Sequence, residues 1–139
     1  MSPDFHSALG LKPTDWLDGR GPDFGDAELA AALARASYAE VSLENASVSD
    51  PGLEVLRQCA GLRYLDLDST PITDRGCELL ASLTSLQELW LEDTAITNEG
   101  LARLADLPRL RFVSVTDSEV TKAGVAAFRL RCPEVRVQP

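Results

Sequence analysis

Two consecutive 24-residue stretches, LRYLDLDSTPITDRGCELLASLTS from Leu62 and LQELWLEDTAITNEGLARLADLPR from Leu86, carry one apolar skeleton. Leu62, Leu65, Leu67, Thr70, Ile72, Gly76, Leu80 and Leu83 return as Leu86, Leu89, Leu91, Thr94, Ile96, Gly100, Leu104 and Leu107. Units this short cannot bury an apolar face alone, so the copies must stack. The register runs back to Tyr38 through Val41, Leu43, Val48, Gly52, Leu53 and Leu56. It runs forward from Leu110 through Val113, Val115, Val120, Gly124, Val125 and Phe128. One residue late, Cys132-Pro133-Glu134-Val135 echoes Leu107-Pro108-Arg109-Leu110. The repeats are therefore 38–61, 62–85, 86–109 and 110–134, with a last strand at 135–137.

Each unit has two periods. Leu62 to Leu67 reads L-x-x-L-x-L, whose last half alternates as a strand does, whereas Cys77, Leu80 and Leu83 recur at helical spacing after Gly76. The unit is strand, turn, helix. At the bend between them stands a small residue, Ala46, Thr70, Thr94 or Ser118. A hydroxyl there can partner backbone groups that leave the sheet ladder. Asp50-Pro51, Asp74 and Asn98 follow where a helix N-cap and first turn belong. The recurrent glycines at 52, 76, 100 and 124 fit close helix packing.

The pattern L-x-x-L-x-L-x-x-T-x-I-T-x-x-G-L-x-x-L resembles the leucine-rich repeat family. Its T-D-x-G and T-N-x-G turns are similar to the ribonuclease-inhibitor-like and cysteine-containing subtypes, although the small bend residue is Thr, Ser or Ala rather than Asn or Cys. The resemblance covers residues 38–137. It implies a right-handed α/β solenoid, a short arc with a parallel sheet of about five strands on the concave side and helices on the convex side.

A length of 139 residues is one domain with a continuous core. A formal charge of −9, with lysines only at 12 and 122, argues against nucleic acid, whose phosphates need clustered Lys and Arg. No apolar run approaches the ~18 residues of a membrane span, and no basic segment before an apolar run marks a secretory leader. Cys59, Cys77 and Cys132 fall on apolar repeat positions, which suits core packing in a reducing compartment better than disulfides or metal ligation. A cytoplasmic protein is expected. It is expected to be a monomer, with head-to-tail pairing through the last strand's edge as the alternative.

Residues 1–37 comprise a Pro- and Gly-rich irregular segment and a helix over about 26–36. Leu29 and Ala32 stand 24 before Leu53 and Leu56, so this helix is a worn repeat that closes the solenoid end. Trp16 and Phe24 then cover the exposed end of the core; the competing reading makes residues 1–25 a docking motif.

In each strand the first, fourth and sixth positions enter the core. The concave face then carries Ala39, Glu40, Ser42, Glu44 and Asn45; Arg63, Tyr64, Asp66, Asp68 and Ser69; Gln87, Glu88, Trp90, Glu92 and Asp93; Arg111, Phe112, Ser114, Thr116 and Asp117. Eight acids stand there against two arginines. Parallel strands set equivalent positions about 4.8 Å apart, so Glu44, Asp68 and Glu92 share a row and Asp93 neighbours Asp117. Adjacent like charges destabilise a sheet. Trp90 is central, with Tyr64 and Phe112 on the flanking strands, and aromatics ringed by charge are the composition of binding hot spots. The expected partner-binding set is Tyr64, Trp90, Phe112, Glu44, Asp66, Asp68, Glu88, Glu92, Asp93 and Asp117.

No catalytic triad, metal-ligand spacing or phosphate loop is present, and the single histidine, His6, lies far in register from any nucleophile. Glu44, Asp68 and Glu92 project in parallel with no loop carbonyls to complete a calcium shell. Neither cofactor nor metal is expected, and no enzyme. The expected function is recognition of a basic protein partner. The alternatives are an inhibitor or immunity-type protein that blocks a cationic enzyme or toxin, and an adaptor using the N-terminal segment as a second site.

Overall fold

A computed structural model describes residues 16–139. The elements alternate: β1 Trp16–Asp18, α1 Asp26–Arg35, β2 Glu40–Ser42, a 3-10 helix Pro51–Gln58, β3 Tyr64–Asp66, α2 Asp74–Leu80, β4 Glu88–Trp90, α3 Asn98–Arg103, β5 Phe112–Ser114, α4 Lys122–Arg131 and β6 Arg136–Gln138. The strands form one parallel sheet in the order β1-β2-β3-β4-β5-β6, a right-handed α/β solenoid. Pairing follows the 24-residue step between repeats, as in Glu40↔Tyr64, Tyr64↔Glu88 and Glu88↔Phe112.

The sheet has six strands rather than about five. The additional one, β1, lies in the segment read from sequence as irregular and pairs Trp16↔Glu40 and Leu17↔Val41, again 24 apart. Its pattern is obscured because Gly19 occupies the place of the sixth-position leucine. A Cβ at Gly19 would approach Leu43 Cδ2 to 2.7 Å and the Phe24 ring to 2.8 Å, so Phe24 takes up the missing leucine's space. Leu17 and Phe24 pack against the core. His6, Lys12 and the apolar residues before Trp16 lie outside the described residues.

The core is a set of ladders in which each residue stacks on its counterpart one repeat away. Val41, Leu65, Leu89, Val113 and Val137 make one, and Leu56, Leu80, Leu104 and Phe128 another, all buried. Full burial of each such side chain stabilises the fold by roughly 1.5–3 kcal/mol. Cys59 and Cys77 are buried free thiols and Cys132 is half-buried. Burial pushes the Cys77 thiol up to about 12, helped by the charges of Asp74 and Asp50.

The bend hydroxyls act locally: Thr70 Oγ1 donates to Leu67 O at 2.6 Å, Thr94 Oγ1 to Leu91 O at 2.8 Å and Ser118 Oγ to Val115 O at 2.6 Å. Immediately before each bend residue, Asn45, Ser69, Asp93 and Asp117 have φ between 53° and 59°, the left-handed region, and Gly21 stands at the matching point of the first unit with φ 107°.

Asp50 is the N-cap of the 3-10 helix with Pro51 following it, and Asp74 and Asn98 lie in the first turns of their helices, as the sequence pattern predicts. The hydroxyl caps are Thr73, Thr97 and Thr121. The side chains of Asp50, Asp74 and Asn98 reach the next repeat. Asp50 Oδ1 accepts from Thr73 N at 2.9 Å, Asp74 Oδ1 from Thr97 N at 2.8 Å and Asn98 Oδ1 from Thr121 N at 2.8 Å. Asp26 does the same for Ser49 at 2.8 Å. This explains the glycine period: a Cβ at Gly76 would come to 2.5 Å from Asp50 Oδ1, and at Gly52, Gly100 and Gly124 closer still to Asp26, Asp74 and Asn98. The space required is for a carboxylate or amide, not for a neighbouring helix backbone.

Candidate concave binding face

Third- and fifth-position side chains of every strand point away from the buried fourth-position ladder, onto the concave side. One row runs Trp16, Glu40, Tyr64, Glu88, Phe112 and Arg136; the next runs Asp18, Ser42, Asp66, Trp90, Ser114 and Gln138. Main-chain bonds from Asn45 N to Asp68 O, Ser69 N to Glu92 O and Asp93 N to Thr116 O carry the register beyond the strands. Tyr64, Asp66, Glu88, Trp90 and Phe112 therefore lie on one face, and Glu44, Asp68, Glu92, Asp93 and Asp117 follow at the ends of the same strands.

They are not equally exposed. Tyr64 and Phe112 are each 5% exposed and Asp66 is 1% exposed, so the expectation that these three stand open on the sheet is corrected. Part of the cause is that bulky side chains a strand apart cover one another. The Trp90 and Phe112 rings lie 4.8 Å apart at 48°, and the Arg136 guanidinium sits 4.8 Å from the Phe112 centroid on the other side. Trp90, Glu44, Asp68, Glu88 and Glu92 are half-buried, and Asp93 and Asp117 are exposed.

The acids do not simply repel. Asp66 Oδ1 accepts from Asp68 N at 2.9 Å, and Asp68 Oδ1 accepts from Glu92 N at 2.8 Å. Glu92 Oε2 accepts from Ser114 Oγ at 2.7 Å, and Asp93 Oδ2 from Ser69 Oγ at 2.9 Å. Arg63 pairs with the buried Glu40 at 3.5 Å. Part of the acidic face thus organises the main chain of the following strand, a role that the reading of these acids as unfavourable neighbours did not anticipate.

Asp66 and Asp68 are electrostatically perturbed. Burial raises both. Asp68 reaches about 7, driven further by the Asp66 and Glu92 charges, against the lowering effect of the Glu92 N–H. Tyr64 is also raised by burial and by Asp66 and Glu88. At the N-terminal end Arg20 donates to Asp18 at 2.8 and 2.9 Å, a pairing that raises the guanidinium still further. Arg20 is 24 residues before Glu44, so a cation heads the acidic row, and Arg136 ends the aromatic one. Both were missed, although the same ruler that found the repeats reaches them.

Among the described residues no group of three or more His, Cys, Asp or Glu side chains is disposed to hold a metal. A depression of about 580 Å³ lies on the convex side, lined by Asp50, Pro51, Glu54, Arg57, Arg75, Glu78 and Leu79. It mixes both charges and is remote from the concave rows. No helix among the described residues is long and apolar enough to cross a membrane.

Comparison with known proteins gives the same period independently. Residues 58–81 and 82–105 match the leucine-rich repeat model. Among solved structures, an internalin (inlF) from Listeria monocytogenes is similar with a TM-score of 0.51 at 15% identity, over 80% of this chain and 36% of that one. The chain thus spans about a third of that protein's length, and the likeness is one of fold. No curated protein matches the sequence.

Proposed function

We propose that this solenoid of leucine-rich repeats is a non-catalytic protein-recognition module that binds a basic protein through its concave face. The observation that carries the reading is the position of Trp90: a half-buried indole on a central strand, with Phe112 at 4.8 Å and Glu88, Glu92, Asp93 and Asp68 around it. An aromatic anchor supplies contact area, and the surrounding acids steer and orient a cationic partner. Tyr64, Phe112 and Asp66 act from beneath, as the floor that holds Trp90 and Asp68. Glu44 and Asp117 extend the acidic field towards the two ends. The T-D-x-G turns followed by α-helices favour the ribonuclease-inhibitor-like repeat subtype, and the three free thiols favour a reducing cytoplasm.

The test is capture from source-cell lysate on wild-type protein beside Trp90→Ala, eluted in rising salt and read by mass spectrometry. A basic protein held only by wild type and released by salt is expected. Reversal of Glu92 and Asp93 to lysine is expected to slow association and flatten its dependence on ionic strength. Identical partners on wild type and both variants would remove the function from this face.

A further inference from the structure

Resting on that reading, we propose that Asp66 and Asp68 share one proton and form a pH switch on the concave face. The basic partner is taken up as Asp68 gives the proton up, so recognition strengthens as pH rises through neutrality.

Two carboxylates can only accept, so a hydrogen bond between them exists only while one carries a proton. The Asp66 and Asp68 side chains make such a bond. The main chain holds them to it. Asp66 Oδ1 accepts from Asp68 N at 2.9 Å and Asp68 Oδ1 from Glu92 N at 2.8 Å, so each carboxyl is fixed through one oxygen. Asp66 is 1% exposed and sealed within the sheet face, whereas Asp68 is half-buried and reaches the side a partner meets.

The surrounding charges place the proton on Asp68. The chain's amino-terminal charge acts on Asp66 and favours its ionised form, and Arg20 is drawn to the same carboxylate. Asp68 is instead faced by acids: Asp66 on its own strand and Glu92 on the turn after β4, while Glu44 holds the equivalent place on the turn after β2. The Tyr64 phenol beside them is raised and stays neutral. Burial, with the Asp66 and Glu92 charges, pushes Asp68 up to about 7. Equivalent positions on neighbouring strands stand about 4.8 Å apart, so ionisation of Asp68 joins Glu44 and Glu92 into one continuous anionic row. A cation brought to that row favours the ionised form, and binding therefore expels the proton.

The probe is acetyl-hexalysine-amide, whose charge is constant over the range, titrated between about pH 5.5 and 7.5 at fixed ionic strength. The main-chain amides of Ser69, Glu92 and Asp93 are followed by ¹H–¹⁵N NMR. Affinity for wild type is expected to rise about tenfold across that range. Asp68→Asn, whose amide can replace the shared proton towards Asp66, is expected to bind at every pH as wild type does at the acid end. His6→Gln removes the one imidazole that titrates in the same window and is expected to keep the rise. Carboxyl-carbon NMR of the unliganded protein is expected to show Asp66 and Asp68 responding together near neutrality. A rise that disappears in His6→Gln or survives in Asp68→Asn overturns the switch, as do two carboxyl carbons that finish titrating below about pH 5. Binding with no pH dependence leaves the acidic face as a recognition surface and removes the switch alone. Amides that stay still at every pH overturn the switch and the recognition reading together.

Discussion

Asp74, in the first turn of its own helix, accepts hydrogen bonds from both the main-chain N–H and the hydroxyl of Thr97, twenty-three residues later, at 2.8 and 2.5 Å. Thr97 in turn caps the next helix through Glu99 N. Each repeat therefore orders the start of its successor. Removal of the carboxylate leaves two donors partnerless at an inter-repeat joint, which is expected to lower unfolding free energy by about 2–3 kcal/mol for Asp74→Ala. Asp74→Asn is expected to lose less than about 1 kcal/mol, because Asn98 bridges the same two groups of Thr121, its Oδ1 accepting from the main-chain N–H and its Nδ2 donating to the hydroxyl. Urea denaturation measures both; equal losses would mean that charge, not geometry, is what the joint requires.

Gly100 is the other half of that joint. In a helix Gly→Ala ordinarily stabilises by up to about 1 kcal/mol. Here the new methyl meets the Asp74 carboxylate, so Gly100→Ala is expected to destabilise by about 1–3 kcal/mol. In an Asp74→Ala background the space is vacated, and the same change is expected to do much less harm. A double-mutant cycle showing simple additivity would refute the space-filling account.

Ser69 is the one non-glycine, non-Asx residue at the left-handed bend, with φ 56°. Glycine adopts this conformation without the Cβ penalty of about 1 kcal/mol. The hydrogen bond lost to Asp93 is exposed. Ser69→Gly is therefore expected to raise the unfolding free energy by roughly 0.5 kcal/mol, read as a higher denaturation midpoint with unchanged slope. A lower midpoint would show that the Ser69–Asp93 bond outweighs the strain.

Asp68 is raised in the folded state to about 7, chiefly by burial. A carboxyl raised on folding holds a proton that the unfolded chain has already lost between about pH 4 and pH 7. Its contribution is therefore fully present in acid and declines as pH rises through that window, levelling off above it. Thermal midpoints of wild type are expected to fall relative to Asp68→Asn from pH 4.5 to 7.5. Carboxyl carbon NMR should place the Asp68 midpoint near neutrality, and a midpoint near the ordinary aspartate value contradicts the assignment.

Thiol reactivity should separate the three cysteines. Cys132 is half-buried, whereas Cys59 and Cys77 are buried and Cys77 is raised to about 12. One equivalent of thiol reagent is expected to react promptly in native conditions and two more only on unfolding. Mass mapping that finds Cys77 modified first would contradict its place in the core.

The amino-acid sequence by itself determined the solenoid, the strand register and the core ladders. Those depend on apolar residues recurring at one period, and every copy reports the same constraint. Leu65, Leu89 and Val113 could be assigned to one ladder without coordinates. Where the period was masked, as at Gly19 with Phe24 filling its place, a strand was missed. Only the tertiary structure decided how the concave face is used: Tyr64, Asp66 and Phe112 sink while Asp93 and Asp117 stay exposed, Arg20 and Arg136 close the two rows, and Asp74 serves the next helix rather than its own. The physical reason is the range of the forces. Inward or outward facing is set by the local alternation of a strand. Exposure, protonation and hydrogen-bond partnership on its outer face are set by side chains a whole repeat away, whose conformations the period does not encode.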